Sequence, residues 1–104
     1  MRFYIDAVVS FDIATRYGVV TKIEIVGYHK MVTAHFIDHK IGTLLQCPDE
    51  RCDGRHSCPI HQITIDSSRL SVINKKDILY YVSVGMISDD IARKAIVAMD
   101  GDDK

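Results

Sequence analysis

The side chains best suited to chemistry are concentrated in one stretch, CPDERCDGRHSCPIH, which holds all three cysteines, both prolines and two of the five histidines. Its cysteines and its last histidine follow the spacing C-x4-C-x5-C-x2-H. Zinc in proteins is commonly held by four ligands of these types, thiolate or imidazole, arranged as a tetrahedron. The sequence therefore predicts a zinc-binding loop over 47–61, with the ion held by Cys47, Cys52, Cys58 and His61.

The same loop carries further polar residues with predicted roles. His56 is the alternative to His61 as the fourth ligand. Four protein ligands fill the coordination shell, whereas a catalytic zinc needs an open position, so the predicted zinc is structural. Three thiolates and one zinc ion leave a net negative charge, which Arg51 and Arg55 can offset. Arg51, Arg55 and His56 are also the predicted partner-binding residues, because a metal-bound loop would present them on a rigid surface.

Length, charge and hydropathy limit the class of protein. The chain has 104 residues, which suits one small domain over 1–104. A net charge of −1 argues against a strong non-specific nucleic-acid binder, which needs a basic excess to displace counterions. No apolar run approaches the ~18 residues of a membrane span, and Asp6 interrupts the apolar N-terminus as no signal peptide would allow. We therefore expect a cytoplasmic protein without a membrane partner, where clustered cysteines favour a metal over disulfides.

The N-terminal half alternates between apolar and polar residues, as strands with one buried face do. This alternation predicts strands over 2–13 and 19–26. Its phase then flips at Gly27-Tyr28, which favours a hairpin turn over a bulge and predicts a third strand within 32–37. Short strands are also predicted over 43–46 and, beyond the cysteines, over 62–66.

The C-terminal part changes to helical spacing. Asn74 is a favourable N-cap, and Gly85 is placed to end the helix that follows. Apolar residues at helical spacing lie between them or just beyond: Ile78, Leu79, Val82 and Met86. Ser88 can cap a second helix, ended by Gly101. The expected inward-facing residues of that helix are Ile91, Ala92, Ala95, Ile96 and Met99. The short link between the two helices predicts an αα-hairpin.

The predicted fold is therefore α+β. It consists of an antiparallel β-meander over 1–46, the zinc-binding loop over 47–61, and a short strand plus αα-hairpin over 62–101. Tyr81 and Met86 are predicted to form an exposed apolar strip on the helical hairpin that could serve a homodimer.

One segment resembles a known enzyme family. The residues HFIDHKIGTLLQC, from His35 to Cys47, are similar to the Asp-His…Gly…Leu-Leu-Cys stretch of phage-type recombination endonucleases of the His-Me finger group. In that group the Asp-His step serves metal-dependent DNA cleavage. The resemblance implies the same role for Asp38 and His39, and it supplies a catalytic hypothesis for this chain.

Three functional hypotheses follow, in descending order. The first is a non-enzymatic, zinc-stabilised interaction protein of regulatory or viral-accessory type whose partner is a protein, since no phosphate-binding loop or nucleophile elbow is present. The second is a nucleic-acid-binding protein that uses the loop arginines with Lys75 and Lys76, and whose binding would weaken steeply with salt. The third is the metal-dependent nuclease, whose cleavage would be lost in His39→Ala.

Overall fold

The computed structural model describes residues 3–12, 16–38, 40–45 and 61–102, with only the backbone of the last two. It shows an α+β protein in which an antiparallel sheet is followed by two C-terminal helices, as predicted. Most of the predicted zinc-binding loop lies outside the described residues. So do several predicted site residues: His39, Cys47, Arg51, Cys52, Arg55, His56 and Cys58.

Six strands form the sheet: β1 (Val8–Phe11), β2 (Tyr17–Val26), β3 (His29–Asp38), β4 (Thr43–Leu44), β5 (Gln62–Asp66) and β6 (Leu70–Val72). The first four are neighbours in the order β4-β3-β2-β1, which is the predicted meander. β5 was predicted with the bounds that the structure shows, and it pairs with β3. β6 was not predicted, and it pairs with β1.

The first strand is shorter than the predicted span of 2–13 because the chain turns before it. The amide of Ala7 donates to the carbonyl of Tyr4 at 3.1 Å, and Asp6 has a φ of 72°. A positive φ at the third position of such a turn is typical of a type II turn, and aspartate tolerates it better than most residues. Regular pairing with β2 therefore starts at Val8.

The hairpin of β2 and β3 was predicted at Gly27-Tyr28 and is confirmed. Val26 pairs with His29, and Gly27 has a φ of 62° in the first central position, where a type II′ turn places glycine. A β-bulge also exists, but at Thr21, which is the extra residue between the Val20 and Lys22 pairings. The bulge shifts the alternation of β2 by one residue, so that Ile23 packs on the same side as Val20.

The sheet is curled, because its two edges are joined by a short connection. β5 lies beside β3 and β6 beside β1, so a flat sheet would separate them by four strand spacings, roughly 19 Å. Only the 3₁₀ turn Ser67–Arg69 connects them. The four Cα–Cα steps from Asp66, the end of β5, to Leu70, the start of β6, span at most about 14 Å, so the sheet must bend towards closure.

The curled sheet creates two cores, one on each face. We call the one inside the curl the inner cluster; its buried members are Ala7, Val9, Phe11, Val20, Val32, Ala34, Phe36, Ile65 and Leu70. The outer cluster lies between the sheet and the helices, and its buried members are Val8, Val19, Ile37, Ile73, Ile78, Ile87, Ile91, Ala92 and Ala95. Val8, the one apolar residue that breaks the alternation of the first strand, is thereby explained: β1 is covered on both faces.

The two helices begin and end close to their sequence signals. Helix α1 (Lys75–Ser83) starts where the side-chain oxygen of Asn74 accepts from the amide of Asp77 at 2.8 Å, and Gly85 follows it with a φ of 81°. Helix α2 (Asp89–Asp102) starts after Ser88, whose hydroxyl accepts from the amide of Ile91 at 3.3 Å. It continues one residue past the predicted stop at Gly101.

The inward face of α2 agrees with the prediction, whereas that of α1 differs at one residue. Ile91, Ala92 and Ala95 are buried, and Ile96 and Met99 are partly buried against the outer cluster. In α1, Ile78 is fully buried but Leu79 is 53% exposed. The prediction for Leu79 was wrong because the buried stripe of this short helix runs through Ile78 and Val82 instead.

Candidate functional site

The segment that carries the three cysteines starts and ends at a single residue of β3. The amide of Phe36 donates to the carbonyl of His61 at 2.8 Å, and the carbonyl of Phe36 accepts from the amide of Leu45 at 2.9 Å. We call this pair of hydrogen bonds the Phe36 junction. It holds Leu45 and His61, the described residues on either side of segment 46–60, at the same point of the sheet.

His61 is the one predicted zinc ligand that the structure describes. It is 4% exposed, which is unusual for histidine, and its ring centroid lies 5.0 Å from that of His35. The Nε2–H of His35 donates to the carbonyl of Leu45 at 2.8 Å, because a carbonyl oxygen can only accept. His35 thus contacts Leu45, which precedes the cysteine segment, and His61 follows that segment. No three metal-binding side chains form a group among the described residues, which lack the cysteines.

Sequence reasoning missed the part that His35 plays. The sequence alone predicts no role for His35, whereas the structure shows it half-buried against His61. The contact follows from the pairing of two strands. β3 and β5 are antiparallel, and His35 pairs with Gln62, next to His61. Finding it required the partner strand and its register, which the cysteines in between obscure.

Asp38, the described half of the Asp-His step, has a structural role in the turn after β3. Its Oδ1 accepts from the amide of Lys40 at 3.0 Å, and its carbonyl accepts from the amide of Gly42 at 2.7 Å. Aspartate commonly stabilises a turn in this way. The nuclease hypothesis, which also needs His39, remains a prediction.

A cleft of about 560 Å³ opens where the bulge of β2 faces β4 and the first turns of α2. Its lining combines apolar, hydroxyl and charged side chains: Asp6, Val19, Thr21, Thr43, Leu44, Ser88, Asp90, Ile91 and Lys94. The amide of Ser88 donates to the carbonyl of Gly42 at 2.7 Å, which fixes the wall formed by β4 and α2. Asp90 and Lys94 form an exposed ion pair at 3.4 Å, so these two charges offset each other, and Asp6 adds a negative charge to the lining.

The far end of the β2–β3 hairpin exposes apolar side chains. We define the tip of this hairpin as residues 25–30. Ile25 is 69% exposed, Val26 57%, and Tyr28 is fully exposed. Lys22 and Glu24, next to the tip, form an ion pair at 2.8 Å. A cluster of exposed large apolar residues is typical of an interaction surface.

Asp66, at the end of β5, contacts His29, the first residue of β3. Its Oδ2 lies 2.7 Å from Nδ1 of His29. The pKa of Asp66 lies below its usual range, mainly because the backbone amide of Ser68 donates to the carboxylate, with smaller contributions from the Ser68 side chain and His29. The lowered pKa keeps this carboxylate ionised in weakly acidic solution.

The helical hairpin has an apolar groove between α1 and α2 of about 310 Å³. Its apolar lining consists of Leu79, Val82, Ala92, Ile96 and Val97, with Asp89 and Arg93 beside them. Val97 is 65% exposed. The groove is therefore a second exposed apolar surface.

The strip predicted for this helical hairpin is made of other residues than expected. Tyr81 is half-buried, with its ring centroid 5.1 Å from that of Tyr17 and its hydroxyl 3.2 Å from the Tyr17 hydroxyl. This hydrogen bond, followed by burial, raises the pKa of Tyr81 to about 12. Met86 is also largely covered. Tyr81 thus packs on the sheet, and the exposed apolar residues are Leu79, Tyr80, Val84 and Val97.

Comparisons with protein-family models, with curated proteins and with solved structures find no match for this chain. Neither of the two described helices is both long enough and apolar enough to cross a membrane.

Proposed function

We propose that this protein is a zinc-stabilised interaction domain that binds a protein partner and performs no chemistry on it. The observation that carries the proposal is the Phe36 junction, which holds Leu45 and the buried His61, the described residues on either side of the cysteine segment, at one residue of β3. A metal site within one short segment needs its ligands to converge, and two tethered ends favour that convergence.

The available ligands fit a structural zinc. Cys47, Cys52 and Cys58 supply thiolates, and His61 supplies an imidazole that the fold shields from water. A bound zinc would neutralise most of the thiolate charge and make the free energy of metal binding part of the free energy of folding. The thiols must stay reduced for this, which suits a reducing compartment such as the cytoplasm.

A protein partner is favoured by the apolar groove between the helices. Its lining combines exposed apolar residues, Leu79 and Val97, with the charged residues Asp89 and Arg93, and many protein interfaces combine apolar and charged residues in this way. A regulatory role would act through this binding. The predicted loop residues Arg51, Arg55 and His56 would add a second contact.

The zinc part is tested by metal content and thermal stability. We expect about one zinc per chain by elemental analysis, and a lower melting temperature after chelation. Cys52→Ser should lose the metal. His61→Gln should lose it as well, whereas His56→Gln, the matched control, should retain it. Metal-free protein with an unchanged melting temperature would contradict the proposal.

The partner part is tested by capture from the native host. We expect Val97→Asp to lose a protein that the wild-type chain retains, whereas Arg69→Gln, a control outside the groove, should retain it. Nucleic acid in the captured material, released steeply by salt, would instead favour the nucleic-acid-binding alternative.

A further inference from the structure

Among the described residues, one edge of β2 is paired along only half of its length. β1 pairs with Tyr17–Val19, and the ladder ends where the amide of Asp6 donates to the carbonyl of Val20 at 2.9 Å. The chain reverses in the turn over residues 4–7, where the amide of Ala7 donates to the carbonyl of Tyr4. In the described part of the chain, residues 21–26 pair with β3 alone. Such a free strand edge is a template for another strand.

The hairpin geometry shows which backbone groups face that edge. The residues that flank a two-residue loop, here Val26 and His29, form a hydrogen-bonded pair, and such pairs alternate with non-hydrogen-bonded ones. The amides and carbonyls of Ile23 and Ile25 therefore point away from β3. They are the groups that an added antiparallel strand would bind.

We propose that the occupant of this edge is the same edge of a second copy, which makes a two-fold symmetric dimer with each hairpin tip in the partner's cleft. Antiparallel pairing of two identical edges places the tip of each copy opposite Thr21 of the other. Thr21 lines the 560 Å³ cleft. The strand pairing and the contact between tip and cleft thus form together. Because both copies use the same surface, the interface is isologous and closed, and it cannot extend into a filament.

Charge selects the register. When Ile23 of one copy lies opposite Ile23 of the other, Lys22 of each copy faces Glu24 of its partner. The dimer axis relates the two pairs that result. The intrachain pair of these residues, at 2.8 Å, would become part of a network of four alternating charges. A slip of two residues would place the two Glu24 carboxylates directly opposite each other, which is unfavourable.

The tip and the cleft are complementary in hydrophobicity. Val26 and Tyr28 are 57% and fully exposed, while Val19, Leu44 and Ile91 form the apolar part of the cleft. Ala7 already occupies the β2 edge beside Val20, so the partner's tip must leave the plane of the sheet there. Val19 and the cleft lie on the outer face, where α2 packs, and the tip can leave on that side. The dimer uses neither the zinc ligands nor the helical groove, so it holds or fails independently of the proposed function.

A charge-swap series measured by sedimentation equilibrium on the full chain tests the register. Lys22→Glu and Glu24→Lys should each weaken the dimer about tenfold or more, because each places like charges opposite one another twice. The double variant should recover wild-type association to within about threefold. Arg69→Glu, which breaks the exposed Asp12–Arg69 ion pair away from this edge, should leave association unchanged.

Variants of the two apolar surfaces test the contact between tip and cleft. Tyr28→Ser and Leu44→Glu should both weaken the dimer, whereas Val97→Ser on α2 should not; thermal melts confirm that each variant is folded. A chain that stays monomeric up to about 1 mM would overturn the proposal. So would a dimer that is indifferent to these variants, or single charge variants that the double variant fails to rescue.

Discussion

The two ends of the β2–β3 hairpin have similar residue types and opposite environments. At its base, which we define as residues 17–20 and 34–38, Val19, Val20 and Ala34 are buried. At its tip, Ile25 and Val26 are more than half exposed. Both ends belong to the same two strands and have the same backbone pairing. The apolar alternation of a strand therefore identifies the strand, but burial depends on what covers each face.

Coverage at the base comes from both sides. The inner cluster fills the curl on one face, and the helices with the outer cluster lie on the other. The tip extends beyond both. Matched substitutions at the two ends can therefore separate the contribution of packing from that of residue type.

The largest difference is expected for the same substitution at two positions of β2. Val20→Ala removes two methyl groups from a fully buried site and should lower the free energy of unfolding by about 2–3 kcal/mol. Val26→Ala, at a site that is 57% exposed, should change it by less than about 0.5 kcal/mol. Urea unfolding at a concentration that keeps the chain monomeric measures both. Equal losses would show that the tip is covered.

A smaller difference is expected for two glycines in turns. Gly42, next to the base, has a φ of 76°, and an added Cβ would lie 3.1 Å from the backbone of both Gly85 and Ser88. Gly42→Ala should cost about 2 kcal/mol, from backbone strain and from separating β4 from the α1–α2 link. Gly27→Ala, with a φ of 62° and open space, should cost about 1 kcal/mol from strain alone. Chemical unfolding compares them; a larger loss at Gly27 would contradict this account.

The smallest difference concerns tyrosine hydroxyls. Tyr81→Phe should lower the free energy of unfolding by about 1 kcal/mol at neutral pH, because the hydrogen bond to Tyr17 is lost. The folded-state pKa of Tyr81 is raised from 10.0 to about 12, so its stabilisation is complete below pH 10 and is lost as the pH rises towards 12. Thermal melts between pH 9 and about 12 should show this fall in the wild type and a weaker one in Tyr81→Phe. Tyr28→Phe, at the exposed tip, should leave stability at neutral pH unchanged.

The parts of the fold that depend on local signals were predictable. Asn74 and Ser88 cap the helices because their side chains satisfy nearby amides, and Gly27 forms the hairpin turn because it tolerates a positive φ. In the strand over residues 62–66, with the sequence QITID, polar and apolar residues alternate. These features involve neighbours in sequence, so the sequence alone contains the information.

The parts that depend on distant contacts were not predictable. β6 has three residues, too few for a periodic signal, and exists because β1 offers it an edge. The contact between His35 and His61, and the cleft at Thr21, likewise require the register of β3 against β5 and the docking of α2. Of the four predicted zinc ligands, the structure describes His61 alone, so that site remains a prediction.

The curl of the sheet has a consequence for how the chain acquires its structure. Val9 pairs with Val72, which lies about 60 residues later. A nascent chain emerging from the ribosome therefore leaves one side of β1 without its partner strand until β6 has been synthesised. Because this non-local contact closes the sheet, the protein should fold slowly for its size, and its N-terminal half should be vulnerable to aggregation during translation.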